Sequence, residues 1–189
     1  MSTLTDCIVT FIDMIGVREL LEKGSPKAVS LMMQMHAAIP KAAKEFSSDT
    51  EICFWNDSVL VHTPVDGSED NSEKSFADAM RPLPILKAAV DNVRKSYAIC
   101  VKGKSFRPPA NSTHLKYLSA SSLALTNCDQ VHKELKEYKM DWYIDSRIMR
   151  QVDHSLFKKE DDKKKVHHLY PKRSGRMFYM FRGSFTRQD

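Results

Sequence analysis

Apolar residues along this chain recur with two different periods. Residues 7–12, CIVTFI, form a nearly unbroken run of β-branched and aromatic side chains that stops at Asp13. Such a run predicts a strand buried on both faces, near the middle of a sheet. After Gly16 the period lengthens. Ser25-Pro26 predicts a helix start, with serine as N-cap and proline in the first helical position. Val29, Met32, Met33, His36, Ala37 and Pro40 follow at helical spacing, and Pro40 should kink or end that helix because it has no N–H to donate. In residues 51–63, EICFWNDSVLVHT, two short apolar segments flank Asn56-Asp57. That pattern predicts a hairpin.

The remaining chain reads more coarsely. Residues 64–72 are polar and predict a loop. Residues 73–96 are helical by composition, with interruptions at Pro82 and Pro84. A third strand is expected over 97–106, containing Gly103 and closed by Pro108-Pro109. A second long helix is expected over 117–138, a strand over 142–149, and a last strand over 176–182. The order is strand, helix, hairpin, helix, strand, helix, strand. It predicts an α+β domain with a ferredoxin-like core, βαββαβ, over about residues 5–150 and a C-terminal extension over about 151–189. Both belong to one domain spanning 1–189. The RG[FY]-type aromatic pattern of an RNA-recognition sheet is poorly matched by ICVKGKSF.

Composition narrows the class. A chain of 189 residues with 42% hydrophobic side chains can bury one ordinary core. The excess of 29 Lys+Arg over 24 Asp+Glu suits an anionic ligand, a nucleotide or a nucleic acid. Cys7, Cys53, Cys100 and Cys128 are far apart and form no CxxC pair, which excludes a zinc ribbon or dithiol motif and reads as reduced core thiols of a cytoplasmic protein. No secretory leader and no membrane-spanning run is expected. The run KKEDDKKK at 158–165 alternates in sign and reads as a solvated loop, so no nucleic-acid partner is expected from it. His167-His168 lacks metal-ligand spacing, and the Met32-Met33-Met35 cluster reads as core or dimer interface. Neither a P-loop nor a GxGxxG turn is present.

Two acids stand out. Asp13 ends a buried strand and Asp57 occupies the tip of an apolar hairpin. In a ferredoxin-like sheet the first strand lies beside that hairpin, so the strand end and the hairpin tip can meet. Two carboxylates that close repel, unless a cation lies between them. Oxygen ligands select hard cations such as Mg²⁺ or Mn²⁺, with nucleotide phosphates supplying further oxygens. Each acid also has a purely structural alternative: Asp57 as an ordinary turn residue, Asp13 as a helix N-cap.

FIDMIG, a long helix, then FWNDSVLV resembles the two metal sites of class III nucleotidyl cyclases, and most of all the pyrimidine cyclases of Pycsar antiphage defence. The resemblance spans roughly residues 7–149 in element order, and its specific motifs lie in the first third. It implies that Asp13, Asp57 and the backbone carbonyl of Met14 hold two Mg²⁺ or Mn²⁺ ions. It implies that Ile15, Gly16 and Val17 present backbone N–H groups to a triphosphate, with Arg18 assisting. The family reads the base from the hairpin strand, here Glu51, Cys53 and Phe54. Purine cyclases commonly carry lysine where Cys53 falls, so its absence argues against adenine, and Phe54 or Trp55 could stack on a base.

The same resemblance places Lys102 near phosphate, with Lys104 as alternative. Asn127 matches a helix asparagine of the family, but the arginine expected four residues later is Val131. Arg147 is the candidate replacement, and its structural alternative is an ion pair with Asp145. The implied activity converts UTP, or else CTP, to a 3′,5′-cyclic monophosphate and pyrophosphate. The implied assembly is a homodimer with interfacial sites, whose product a separate effector senses during antiphage defence. The rival expectation is a non-catalytic ferredoxin-like module that binds RNA or protein. A diguanylate-type cyclase is a third reading, but FWNDSV does not match the GG(D/E)EF hairpin of that group.

Overall fold

The computed structural model of the chain describes residues 5–65, 72–105, 132, 140–150, 167–169 and 177–182. The expected α+β, ferredoxin-like arrangement is present. Strand β1, Thr5–Met14, is followed by helix α1, Val17–Glu22, and helix α2, Pro26–Ala42. The hairpin is β2, Glu51–Trp55, and β3, Ser58–Pro64. Helices α3, Ser72–Met80, and α4, Leu83–Asp91, lead into β4, Ser96–Ser105. Strand β5, Trp142–Asp145, helix α5, Ser146–Met149, and strands β6, His167–Leu169, and β7, Phe178–Phe181, complete the described elements.

The sheet order is β2-β3-β1-β4-β5-β7-β6. The first four strands are antiparallel neighbours in the order a βαββαβ core requires. β5 adds parallel to β4, and β7 and β6 then extend that edge with residues from the C-terminal part of the chain. β1 lies between β3 and β4, which explains why both of its faces are apolar. Ile8, Ile12 and Met14 turn to the helical layer, where they meet Leu31, Met35, Phe76 and Leu86. Cys7 and Val9 turn the other way, beside Leu60, Ile99, Val101 and Tyr143. Period-two alternation thus serves two separate clusters.

Several sequence expectations shift. The buried stripe of α2 is Ala28, Leu31, Met35, Ile39 and Ala42, whereas Val29 is 50% and Met33 68% exposed. Apolar residues also lie beside this stripe, at Val29, Met32 and Met33, so contact with the sheet chose among them, and the named residues fall one position off it. Of the methionine cluster only Met35 is fully buried, with Met32 packed at the edge of the same cluster. Pro40 lies on the exposed side of α2, which runs two residues further before tightening into a 3₁₀ turn at Ala43–Glu45. Pro82 is the N-cap of α4 and Pro84 lies in its first turn, where a missing N–H costs nothing.

The strand expected over 142–149 ends at Asp145. There the side chain accepts the N–H of Arg147 and caps α5. The strand β6, formed by His167, His168 and Leu169, was not anticipated. The expected helix over 117–138, the loop 158–165, Cys128 and Asn127 lie outside the described residues, apart from His132, which is helical. No helix among the described residues is long and apolar enough to cross a membrane.

Candidate functional site

Register brings the site together. Asp13 faces Ser58 on β3 and Tyr97 on β4, so all three side chains project from the same side of the sheet, the side away from the helical layer. Ser58 Oγ donates to Asp13 Oδ1 at 2.6 Å, and Tyr97 OH donates to Asp13 Oδ2 at 2.8 Å. Both carboxylate oxygens are therefore held. The Tyr97 oxygen also meets His132 Nδ1 at 2.5 Å. Its single proton is committed to Asp13, so Nδ1 of His132 is the donor in that contact. The His132 ring stacks on Tyr97 and stands edge-on to Phe11.

Asp57 approaches from the hairpin tip. Asn56 takes a left-handed conformation, φ 54°, as a tight two-residue hairpin turn requires. The Asp57 carbonyl accepts the Met14 N–H at 3.3 Å, which ties the tip to the end of β1. Burial, and next the charge of Asp13, push the Asp57 carboxyl above the usual carboxylate range. Its own backbone N–H, the Arg18 charge and the Arg18 N–H pull the other way. The charge of Asp13 is thus the second cause, after burial, of the raised Asp57 carboxyl.

The chemistry of this donor set fits a divalent hard cation. It offers two carboxylates and the nearby backbone carbonyl of Met14, and Mg²⁺ is commonly held by one or two carboxylates with phosphate oxygens completing the shell. No cluster of three or more His, Cys, Asp or Glu side chains suited to a metal occurs among the described residues. A cation here would depend on its ligand for further oxygens.

The turn after β1 is fixed by its own contacts. Gly16 has φ +74° and serves as the N-cap of α1. A Cβ at Gly16 would lie 3.1 Å from an Arg94 guanidinium nitrogen, which would have to shift slightly, so it is chiefly the backbone angle that calls for glycine. Arg94 Nε donates to the Ile15 carbonyl, and the Ile15 N–H donates to the Lys95 carbonyl at 2.9 Å. Of the three amides expected to face a triphosphate, that of Ile15 is thus already engaged. Arg18 pairs with Glu22 at 2.9 Å on the exposed side of α1, within electrostatic reach of Asp57.

On β2, Cys53 and Phe54 point to opposite faces. Cys53 is half-buried beside the cluster away from the helices, and burial followed by Glu51 pushes its thiol up, so it is a neutral group. Phe54 meets the His36 ring of α2 at a tilt of 41°, with ring centroids 3.9 Å apart. Trp55 is 59% exposed beside the turn.

Lys102 and Arg147 are not brought to the acids. Lys102 faces Ile8, five residues back along β1 from Asp13. Its ammonium lies over the Phe76 ring and near Asp6, on the helical side of the sheet. Lys104 pairs with Asp6 at 2.8 Å. Arg147 binds the fully buried Asp145 at 2.6 Å and the Lys102 carbonyl, the ion pair weighed as its structural alternative. Ser58, Tyr97, His132 and Arg94 were missed in the sequence. Only the register across β1, β3 and β4 reveals the first two, and no local motif marks the others.

A comparison with protein-family models finds no match, and a comparison of the sequence with curated proteins finds none either. Solved structures do match. The adenylyl cyclase CyaB from P. aeruginosa is 14% identical, with 97% of each chain covered and a TM-score of 0.64. The guanylyl cyclase Cya2 is 12% identical, with 97% of this chain and 94% of that one covered and a TM-score of 0.58. A bacterial light-regulated adenylyl cyclase is 11% identical over all of this chain and 55% of its own, with a TM-score of 0.66. At these identities the likeness establishes the fold, that of a nucleotidyl cyclase catalytic domain.

Proposed function

We propose that this chain, built on the cyclase catalytic-domain fold, is a nucleotide cyclase that closes a nucleoside triphosphate to a 3′,5′-cyclic monophosphate and pyrophosphate. The observation that carries this reading is the meeting of Asp13 and Asp57. Asp13 at the end of β1 pairs across the ladder with Ser58, next to Asp57, and burial, then the charge of Asp13, raises the Asp57 carboxyl. A pair of this kind is costly to keep unless a cation uses it.

Asp13, Asp57 and the Met14 carbonyl would hold two Mg²⁺ or Mn²⁺ ions. When bound, such ions lower the pKa of the ribose 3′-hydroxyl and neutralise the phosphates. The chain supplies the rest. Asp13 is held in one orientation by Ser58 and Tyr97 before any ligand arrives. Gly16 lets the backbone turn closely enough for the head of α1 to approach the phosphates. Arg18 adds positive charge at the same end.

The substrate we infer is UTP, or else CTP. Support comes from Cys53, a neutral thiol standing where purine cyclases, by resemblance, place a lysine. The same resemblance supports a homodimer with interfacial sites and a cyclic-nucleotide product sensed by a separate effector in antiphage defence. Incubation of purified protein with Mn²⁺ and each labelled triphosphate tests the reading. One pyrimidine should yield a cyclic product, and a purine-only product would overturn the base assignment.

A further inference from the structure

The Asp13 carboxylate is supported by a hydroxyl that no cyclase-like motif in the sequence identifies. Tyr97 sits directly across the β1–β4 ladder from Asp13 and donates to Oδ2 at 2.8 Å, while Ser58 holds Oδ1. Behind Tyr97, His132 reaches in from a segment far along the chain with Nδ1 at 2.5 Å from the same phenol oxygen, and because the Tyr97 proton goes to Asp13, Nδ1–H is the donor there. The His132 ring is itself wedged between Tyr97 and Phe11. Tyr97 further rests edge-on against buried Tyr143, with centroids 6.1 Å apart. With its hydroxyl held by Asp13 and His132 and its ring by Tyr143, Tyr97 has little freedom to leave its acceptor.

We propose that Tyr97 and His132 form a relay that orients the Asp13 carboxylate for cation binding, Tyr97 acting as the positioning residue and His132 as the donor that aims its hydroxyl. This rests on the reading of Asp13 as a metal ligand. Each oxygen of an ionised carboxylate has two acceptor directions. With one direction on Oδ1 taken by Ser58 and one on Oδ2 taken by Tyr97, the open lone pairs are restricted to fixed directions. A bound cation then meets a preset ligand, and freezing that side chain adds no cost at binding. Outer partners of this kind alter metal affinity by about 10–100-fold when removed.

The test is Mn²⁺ affinity of the full chain in the presence of 3′-deoxy-UTP, which supplies phosphate oxygens and cannot cyclise, read from the electron paramagnetic resonance signal against a protein-free control. Asp13→Asn marks the loss of the ligand itself. Tyr97→Phe keeps the ring and removes only the hydroxyl, and should weaken binding by about tenfold with an unchanged circular dichroism spectrum. His132→Asn, whose amide can replace Nδ1–H, should bind as the wild type does, whereas His132→Leu should fall toward Tyr97→Phe. Equal affinity of wild type and Tyr97→Phe, with Asp13→Asn deficient, would overturn the relay and leave the metal reading standing. Equal affinity of wild type and His132→Leu would remove His132 from it. Failure of the wild type to bind Mn²⁺ would overturn both the relay and the metal reading.

Discussion

Tyr97 and Asp13 occupy paired positions on neighbouring antiparallel strands, and the phenol of one holds the carboxylate of the other at 2.8 Å. The pairing makes the end of β1 a rigid platform. On its other flank Ser58, only 4% exposed, gives the same carboxylate a second hydroxyl. Asp57 lacks such an arrangement. It rides on a two-residue turn and is supported by backbone N–H groups and the Arg18 charge. One acid of the pair is thus preset and the other is adjustable.

Asp57→Ala should abolish cation-dependent turnover and leave the fold intact. The residue lies at a half-buried hairpin tip and contributes no apolar contact to either core cluster. Circular dichroism and thermal melting beside a turnover assay check this. Unfolding of the variant would mean that the acid serves the turn.

The raised Asp57 carboxyl gives a pH signature. Its pKa is higher folded than unfolded, so the folded state binds this proton more tightly. The associated stability is present below the unfolded carboxylate range, about pH 4, and is lost as pH rises through the folded value. In chelator-treated buffer, Asp57→Asn should therefore melt above the wild type at neutral pH. The difference should shrink as the pH falls toward 4. Melting curves over that window decide it, and a gap that widens on acidification would contradict the assigned sign.

Gly16→Ala should destabilise the chain by about 1–2 kcal/mol, the cost of a left-handed conformation for a residue with a Cβ. The new methyl would also press on Arg94, a flexible side chain that can move. Urea unfolding measures the loss. An unchanged midpoint would show that the turn relaxes to another geometry.

Arg147→Ala should cost about 3 kcal/mol or more, because it strands a buried carboxylate. Asp145 is 0% exposed and takes three contacts from the Arg147 side chain. Adding Asp145→Asn to the variant should restore part of the loss in urea unfolding. If Arg147→Ala instead lost turnover with no loss of stability, Arg147 would be serving the reaction rather than Asp145.

Much of the frame was legible in the sequence because its signals are local. An apolar run cut off by Asp13, and a hairpin turn at Asn56-Asp57 between two β-branched segments, fix β1, β2 and β3. That the end of β1 lies beside the hairpin tip follows from topology, which pairs Asp13 with Ser58. The stripe of α2 was not legible, since further apolar residues at Val29, Met32 and Met33 flank it and tertiary contact settles which are buried. The end of β5 was hidden for a different reason: Asp145 turns the chain by capping its own successor helix. Tyr97 was visible only as the first residue of a strand. Its role depends on register across 84 positions, which periodicity does not encode.

The central claim is that Asp13 and Asp57 form the cation site of a nucleotide cyclase. The most direct measurement is product analysis after incubating the purified protein with Mn²⁺ and each of the four labelled nucleoside triphosphates, beside Asp57→Ala. The account predicts a 3′,5′-cyclic monophosphate and pyrophosphate from one pyrimidine triphosphate with the wild type, and none with the variant. No cyclic product from any of the four, with the wild type folded and dimeric, would contradict it.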